Sequence, residues 1–354
     1  MNDRFASLDR AVRAELGTRF SAAVVRVERA GRVCFERAYG RARAAEAAPA
    51  CFVDTRFDLA SITKVFVATV ALDDASRGAL ALDAPLLGLV PEWRRTAHEP
   101  ISLRAILSHT AGFKSGADYR TLLDRDVAAF ALTEPLGGVP GERVVYSDLG
   151  FIVLGTILAR LHGRSLAEVV AERLRGWGAV STAYVPRATQ RQAIPATETD
   201  AWRGSVQGTV HDEKAHLLGG VAGHAGLFGT ARDVALLGEW YLATLRGRPA
   251  PLDSGIVREA LREQAYDPVL RRGLGWALKT NDENSCGPLM SSNAFGHTGF
   301  TGTSVWVDPE RDVSVVLLTN AVHYGRSDIR LIRIAACDAA LEALEDAVPA
   351  AARC

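Results

Sequence analysis

Apolar residues recur along this chain with two different periods, and the changes of period mark out its elements. Residues 2–17 carry Phe5, Leu8, Val12 and Leu16 at helical spacing and predict an amphipathic helix. Ser21–Arg29 and Arg32–Ala38 read as two strands joined by a tight turn at Ala30-Gly31. After an alanine-rich linker, a short strand at Arg56–Leu59 leads into Ser61–Arg77, which is helical in pattern and almost wholly apolar until Asp73. A helix that is apolar all round belongs in the middle of a fold, and Gly78 marks its end. Further helices are predicted at 102–109, 148–162, 165–175 and 231–246, between loops rich in Gly and Pro. Strand patterns return at Gly273–Lys279, Gly302–Asp308 and Asp312–Asn320, the last two resembling a hairpin about Pro309-Glu310-Arg311. A last helix is expected over about 326–345.

Strands at both ends with helices between them predict an α+β fold, an α/β sandwich. Residues 1–60 and about 270–354 would form one antiparallel sheet subdomain flanked by the terminal helices. Residues of about 61–269 would form an inserted, mostly helical subdomain, the whole being a single domain of 354 residues. A cleft between two such parts is a favoured ligand site.

Composition narrows the function classes. Lysine plus arginine and aspartate plus glutamate number 41 each, with no basic block, which gives no electrostatic reason to bind nucleic acid or an anionic membrane. No apolar run approaches the length of a membrane helix, and the N-terminus lacks the apolar core of a secretory signal, so a cytoplasmic location is expected unless a leader has been removed. Cys34, Cys51, Cys286, Cys337 and Cys354 are scattered and do not have metal-ligand spacing. No cofactor is expected. Only Lys64, Lys114, Lys214 and Lys279 are lysines, so each retained lysine invites a chemical question.

The first answer is Ser61-Ile62-Thr63-Lys64. A serine hydroxyl needs a base, and residues three apart share a helix face, so the Lys64 amine can reach it. Burial and the helix dipole are both expected to lower the Lys64 pKa and leave an amine able to accept a proton. The bland alternative is that Ser61 caps the helix and Lys64 snorkels to solvent. Tyr146-Ser147-Asp148 opens the helix of 148–162, with Asp148 the natural N-cap and the Tyr146 phenol projecting toward a cleft as acid or base. Gly296-His297-Thr298-Gly299-Phe300-Thr301-Gly302 precedes a strand, and its glycines permit close backbone approach to a ligand. A backbone N–H from this segment, paired with that of Ser61, would make an oxyanion hole.

In this order, S-x-x-K, Y-x-D and H-T-G resemble the serine beta-lactamase and penicillin-binding-protein signature set. The chain resembles the superfamily of class C beta-lactamases, D-alanyl-D-alanine carboxypeptidases and related esterases from about residue 20 to 340. Leu107-Ser108-His109-Thr110-Ala111-Gly112-Phe113 and Gly229-Thr230-Ala231-Arg232-Asp233 add to the likeness. The resemblance implies that Ser61 is acylated, that Lys64 and Tyr146 shuttle its proton, and that the N–H groups of Ser61 and Phe300 form the oxyanion hole. It places His297, Thr298 and Gly299 beside the substrate. Many relatives carry asparagine where Asp148 stands and lysine where His297 stands. The loss of that lysine argues against strong penicillinase activity, although a protonated histidine could still grip a carboxylate.

Gly208-Thr209-Val210-His211-Asp212-Glu213-Lys214-Ala215 and Gly219-Gly220-Val221-Ala222-Gly223-His224-Ala225-Gly226-Leu227-Phe228 resemble the branch that includes N-acetylmuramoyl-L-alanine amidases. On that resemblance Asp148, His211 and His224 join the candidate substrate contacts, and the substrate is a small molecule or a peptidoglycan fragment. His211, Glu213 and His216 do not have the spacing of a zinc helix, and no metal is expected. His109-Thr110-Ala111-Gly112 is read as structural, and no G-x-S-x-G elbow is present. The leading expectation is an acyl-serine amidase. The alternatives are a promiscuous carboxylesterase or weak beta-lactamase, and a binding or sensor module that has kept the fold without turnover.

Overall fold

The computed structural model describes residues 3–266 and 268–345, so Cys354 and Asn2, the first residue of the predicted N-terminal helix, lie outside the description. Helix α1 (Ala6–Glu15) buries Leu8 and Val12. Strands β1 (Ala22–Arg29) and β2 (Arg32–Gly40) follow, joined at Ala30 and Gly31, both at positive φ (51° and 72°) as a two-residue hairpin requires. Strand β3 (Phe57–Asp58) leads through Ser61 into α2 (Ile62–Ser76). The helical part continues with α3 (Leu103–Leu107), α4 (Val127–Thr133), α5 (Asp148–His162) and α6 (Leu166–Gly176). Short strands β4 (Ala183–Tyr184), β5 (Glu198–Asp200) and β6 (Gly204–Val206) come next, then α7 (Glu213–Leu217), β7 (Leu227–Gly229), α8 (Ala231–Leu245) and α9 (Ser254–Leu261). The chain returns through β8 (Arg271–Arg272), β9 (Ala277–Leu278), β10 (Phe295–Thr298), β11 (Ser304–Asp308) and β12 (Val313–Thr319) to α10 (Arg330–Glu345).

The main sheet has seven strands in the order β2-β1-β12-β11-β10-β9-β8, every pair antiparallel. Its alternation decides what covers it. Val24, Val316 and Leu318 point into one apolar core together with α2, α5 and α8. Val25, Val27, Val315 and Leu317 point into a second core with α1 and α10. Both faces are therefore buried. The terminal helices cover one of them, as expected; α8, from the middle of the chain, covers the other, because a second apolar face cannot be left in water.

The glycine-rich segment divides: Gly296–Thr298 lies in strand β10, and Gly299–Thr303 is the turn that leads to β11. His297 pairs with Val305 and Thr298 with Ser304, which makes β10 an inner strand of the sheet. A second, three-stranded antiparallel sheet, β3-β7-β4, links the segment before Ser61 to the loop that contains His224.

Candidate active site

Ser61 stands where β3 turns into α2. Its backbone is already helical and its side chain makes no capping hydrogen bond, so the hydroxyl is free to face a cleft. That cleft has a volume of about 450 Å³, within the range of small-ligand sites, and its walls include Ser61, Tyr146, Arg272, His297, Gly299 and Arg333. Lys64 lies one turn into α2, fully buried, and its Nζ donates to Ser61 Oγ at 3.0 Å and to the His224 carbonyl at 3.1 Å. The three-residue spacing thus brings the pair together, and Lys64 does not snorkel.

The charge state of Lys64 differs from the expectation. Burial works against its charge, but Asp148, with Oδ1 at 2.8 Å, and Tyr146 outweigh that penalty and hold the ammonium above its ordinary range. Lys64 is therefore a proton donor to Ser61 at rest. The cause is a shift of one residue at the start of α5. Ser147, not Asp148, is the N-cap: its Oγ accepts from Gly150 N–H at 3.1 Å and donates to the Lys114 carbonyl at 2.6 Å. Asp148 becomes the first helical residue, and its carboxylate is released to face Lys64. Burial raises its proton affinity, but Lys64 and the other cations more than offset this and keep it ionised.

Tyr146 lies beside two cations. Lys64 Nζ is 4.8 Å and Arg272 Cζ 5.3 Å from its ring centroid. His109 holds this tyrosine in place: its Nδ1 accepts from the Ser147 N–H at 3.1 Å, and its ring centroid is 4.6 Å from that of Tyr146. Burial, with the charges of Arg272 and Lys64, keeps His109 neutral and so able to accept. The segment around His109 thus positions the tyrosine directly.

The strand wall approaches Ser61 through its backbone. Thr301 Oγ1 donates to the Asp58 carbonyl at 2.8 Å and Thr303 Oγ1 to the Leu59 carbonyl at 3.1 Å, which clasps the Phe300 turn to β3. A Cβ on Gly299 would lie 2.6 Å from the Leu59 carbonyl oxygen and 2.1 Å from Thr303 Oγ1, so only glycine permits this approach. Among the described residues, neither Ser61 N–H nor Phe300 N–H donates to a protein acceptor. Two open donors are what an oxyanion needs. The Phe300 ring itself is exposed, against His211 and Arg326.

His297 lines the cleft, but not as a cation. Burial, with Lys64 and Arg272 nearby, depresses its pKa to about 3, and its Nδ1–H donates to the Thr298 carbonyl at 2.9 Å. The expectation that a protonated His297 could grip a carboxylate is corrected on that ground. Positive charge comes instead from Arg272 and Arg333, which sequence patterns did not single out among so many arginines. Burial pulls the Arg333 pKa down to about 10 without neutralising it, and its Nη2 donates to the Gly299 and Thr303 carbonyls.

Three expected substrate contacts are committed inside the protein. Asp148 pairs with Lys64. The His211 N–H donates to Asp58 Oδ2 at 2.6 Å and its ring pairs with Glu198, while Asp58 Oδ1 accepts from Ala60 N–H just before Ser61. His224 is buried, with Nε2 at 2.7 Å from Asp212 Oδ1. Neither histidine lines the cleft. Their loops position Ser61 and Lys64; a Cβ on Gly223 would lie 2.0 Å from the Phe151 carbonyl oxygen, so the loop bearing His224 is pressed onto α5.

Donor atoms of Asp148, Asp212 and His224 come within 4.8 Å of one another, a grouping able to hold a cation. The cations found there are ammonium groups: Lys64 at 2.8 Å from Asp148, and Lys214 at 3.3 Å from both carboxylates. His211, Glu213 and His216 face different partners, namely Glu198, Arg326 and Trp202.

A sheet assembled from both chain ends, with helices on both faces and a cleft beside strands β8–β11, defines a beta-lactamase/transpeptidase-like fold. The chain belongs to the beta-lactamase family, whose pattern it matches over residues 8–339, and is a hydrolase of that family. It is 30% identical over 367 aligned positions to an N-acetylmuramyl-L-alanine amidase of Bacillus subtilis (strain 168), covering 90% of this chain and 81% of that one. Similar solved structures include EstCE1, a hydrolase with promiscuous acyltransferase activity (TM-score 0.77, 21% identity, 96% of this chain and 99% of that one). Another is a class C beta-lactamase from Rhodobacter sphaeroides (TM-score 0.77, 19% identity, with the same coverages). At these identities the two structures speak for the fold alone.

Proposed function

We propose that this protein is an acyl-serine hydrolase that cleaves an amide bond, with a muramoyl-peptide of cell-wall turnover as substrate. The observation that carries the reading is the 3.0 Å contact between buried Lys64 Nζ and Ser61 Oγ at the wall of an open cleft. In this reading Ser61 Oγ attacks the amide carbonyl carbon. Its proton passes to the Lys64–Tyr146 pair, which must first have lost one proton, since Lys64 is charged at rest. The Ser61 and Phe300 N–H groups receive the oxyanion. The pair then protonates the leaving amine, and water repeats the sequence in reverse to free the carboxylic acid and Ser61.

Arg272 and Arg333 suit a substrate that carries an anion near the scissile bond. The amide rather than ester preference draws on the 30% identity to the Bacillus subtilis amidase and on the resemblance of Gly208–Ala215 and Gly219–Phe228 to the amidase-containing branch. The test is incubation with a muramoyl-peptide, a p-nitrophenyl ester and a penicillin, following product release and acyl-adduct mass. Turnover of the muramoyl-peptide with a Ser61 adduct supports the reading. Turnover of the ester alone moves the assignment to an esterase, and the absence of both adduct and turnover with all three probes overturns it.

A further inference from the structure

Behind Ser61 the charged groups close into a circuit. Lys64 Nζ lies 2.8 Å from Asp148 Oδ1; Lys214 Nζ lies 3.3 Å from Asp148 Oδ2 and 3.3 Å from Asp212 Oδ2. Asp212 Oδ1 lies 2.7 Å from His224 Nε2, and the His224 carbonyl accepts from Lys64 at 3.1 Å. The other groups facing Lys64 are the Tyr146 ring from ahead of α5, and His109, His297 and Arg272 around it, none of them a carboxylate. Among the described residues Asp148 is thus the one carboxylate paired to Lys64.

A carboxylate at that place, alone with Lys64, would bind the very proton that the Lys64–Tyr146 pair must release to act as a base. Lys214 puts a second cation on the opposite oxygen of the same carboxylate. Asp212 holds Lys214 there, also accepts from the Ala215 N–H at 2.8 Å as the cap of α7, and so ties the circuit to a fixed helix end.

We infer that Lys214, anchored by Asp212, is a positioning residue that divides the charge of Asp148 between two ammonium groups and thereby sets the proton affinity of the Lys64–Tyr146 pair. This inference rests on the acyl-serine reading. It also accounts for a lysine retained at 214 in a chain with four lysines: a cation on a flexible stem reaches both carboxylates at once.

The test measures kcat/KM for p-nitrophenyl acetate against pH on the full chain, with melting curves on every variant. Removing a cation raises the proton affinity of its neighbours. Lys214→Met is therefore expected to move the acidic limb up by about one pH unit and to lower kcat/KM at neutral pH about tenfold. Asp148→Asn moves the limb the other way, the double variant Asp148→Asn/Lys214→Met returns it toward the wild-type position, and Lys214→Arg keeps it largely in place. A limb unmoved in Lys214→Met overturns the inference, as does an equal loss of activity, with no movement of the limb, when Lys214→Met is made in the Asp148→Asn background. If Lys214→Met alone does not fold, the double variant against Asp148→Asn decides by the same criterion. Turnover retained in Ser61→Ala would instead overturn the acyl-serine reading, whatever the Lys214 variants do.

Discussion

On the helical wall of the cleft, Ser61 stands in front of Lys64, Asp148, Lys214 and Asp212, four charged side chains bound to one another within 3.3 Å. On the strand wall, the segment His297–Phe300 contributes a neutral histidine, a glycine and an open N–H, with arginines standing behind it. The first wall works through charge, whose effect depends on which partners are ionised. The second works through backbone position, which depends on whether a glycine lets two segments touch. Mutations on the two walls should therefore fail in different ways: charge changes move pH profiles, whereas backbone changes lower rates at every pH.

The largest effect belongs to the point where the walls meet. Ser61→Ala should lower ester turnover by about 10⁴-fold or more and abolish the acyl adduct, read by burst kinetics and intact mass. Residual turnover near the wild-type rate would break the comparison at its base. On the strand wall, Gly299→Ala must displace the Leu59 carbonyl or Thr303, and a shift of about 1 Å there should cost roughly 10²-fold in kcat. The shape of the pH profile should be unchanged, and a moved limb would show that the two walls are coupled electrically.

The next effect is on stability. His297 is depressed in the folded state to about 3, and His109 is also held well below its ordinary value, so between the unfolded value and the folded one the unfolded chain binds more protons. The His297 contribution is fully present above about pH 6.5 and is lost as the pH falls toward 3, at up to about 1.4 kcal/mol per pH unit; that of His109 is lost in the same direction. Melting temperatures of the wild type and of His297→Asn over this range should diverge, with the variant less sensitive to acid. Parallel curves would show that His297 titrates normally. The smallest effect is expected for Phe300→Ala, because its role is carried by an N–H that alanine keeps and its ring is exposed; kcat should change by no more than about threefold. A large loss would mean that the ring itself binds substrate.

Much of this was readable from residue order. Helical spacing brings Lys64 to Ser61 in any fold, and the alternation in β1 and β12 makes a two-faced sheet legible before any contact is known. Among the readings that went astray, two show the reason at single residues. Ser147 and Asp148 are both good N-caps, and the choice between them was made by the Lys114 carbonyl, which accepts from Ser147, and by Lys64, which draws Asp148 inward. His297 looked like a substitute for a lost lysine, yet its pKa depends on burial and on Arg272 and Lys64, distant in sequence. The scarcity of lysine drew attention to Lys214, but nothing nearby in the chain disclosed that its partner was Asp148.

The sequence by itself determined the periodic elements, the pairing of Ser61 with Lys64 on one helical turn, and the glycines that allow the strand wall to approach. These follow from interactions within a few residues, or from alternation along one element. The tertiary structure alone decided that Lys64 rests as an ammonium, that His297 is neutral, that His211 and His224 support the site instead of lining the cleft, and that Lys214 completes a charged circuit. Each of these depends on burial and on charges brought to within a few ångströms by folding, and electrostatic energy at such distances is set by neighbours in space.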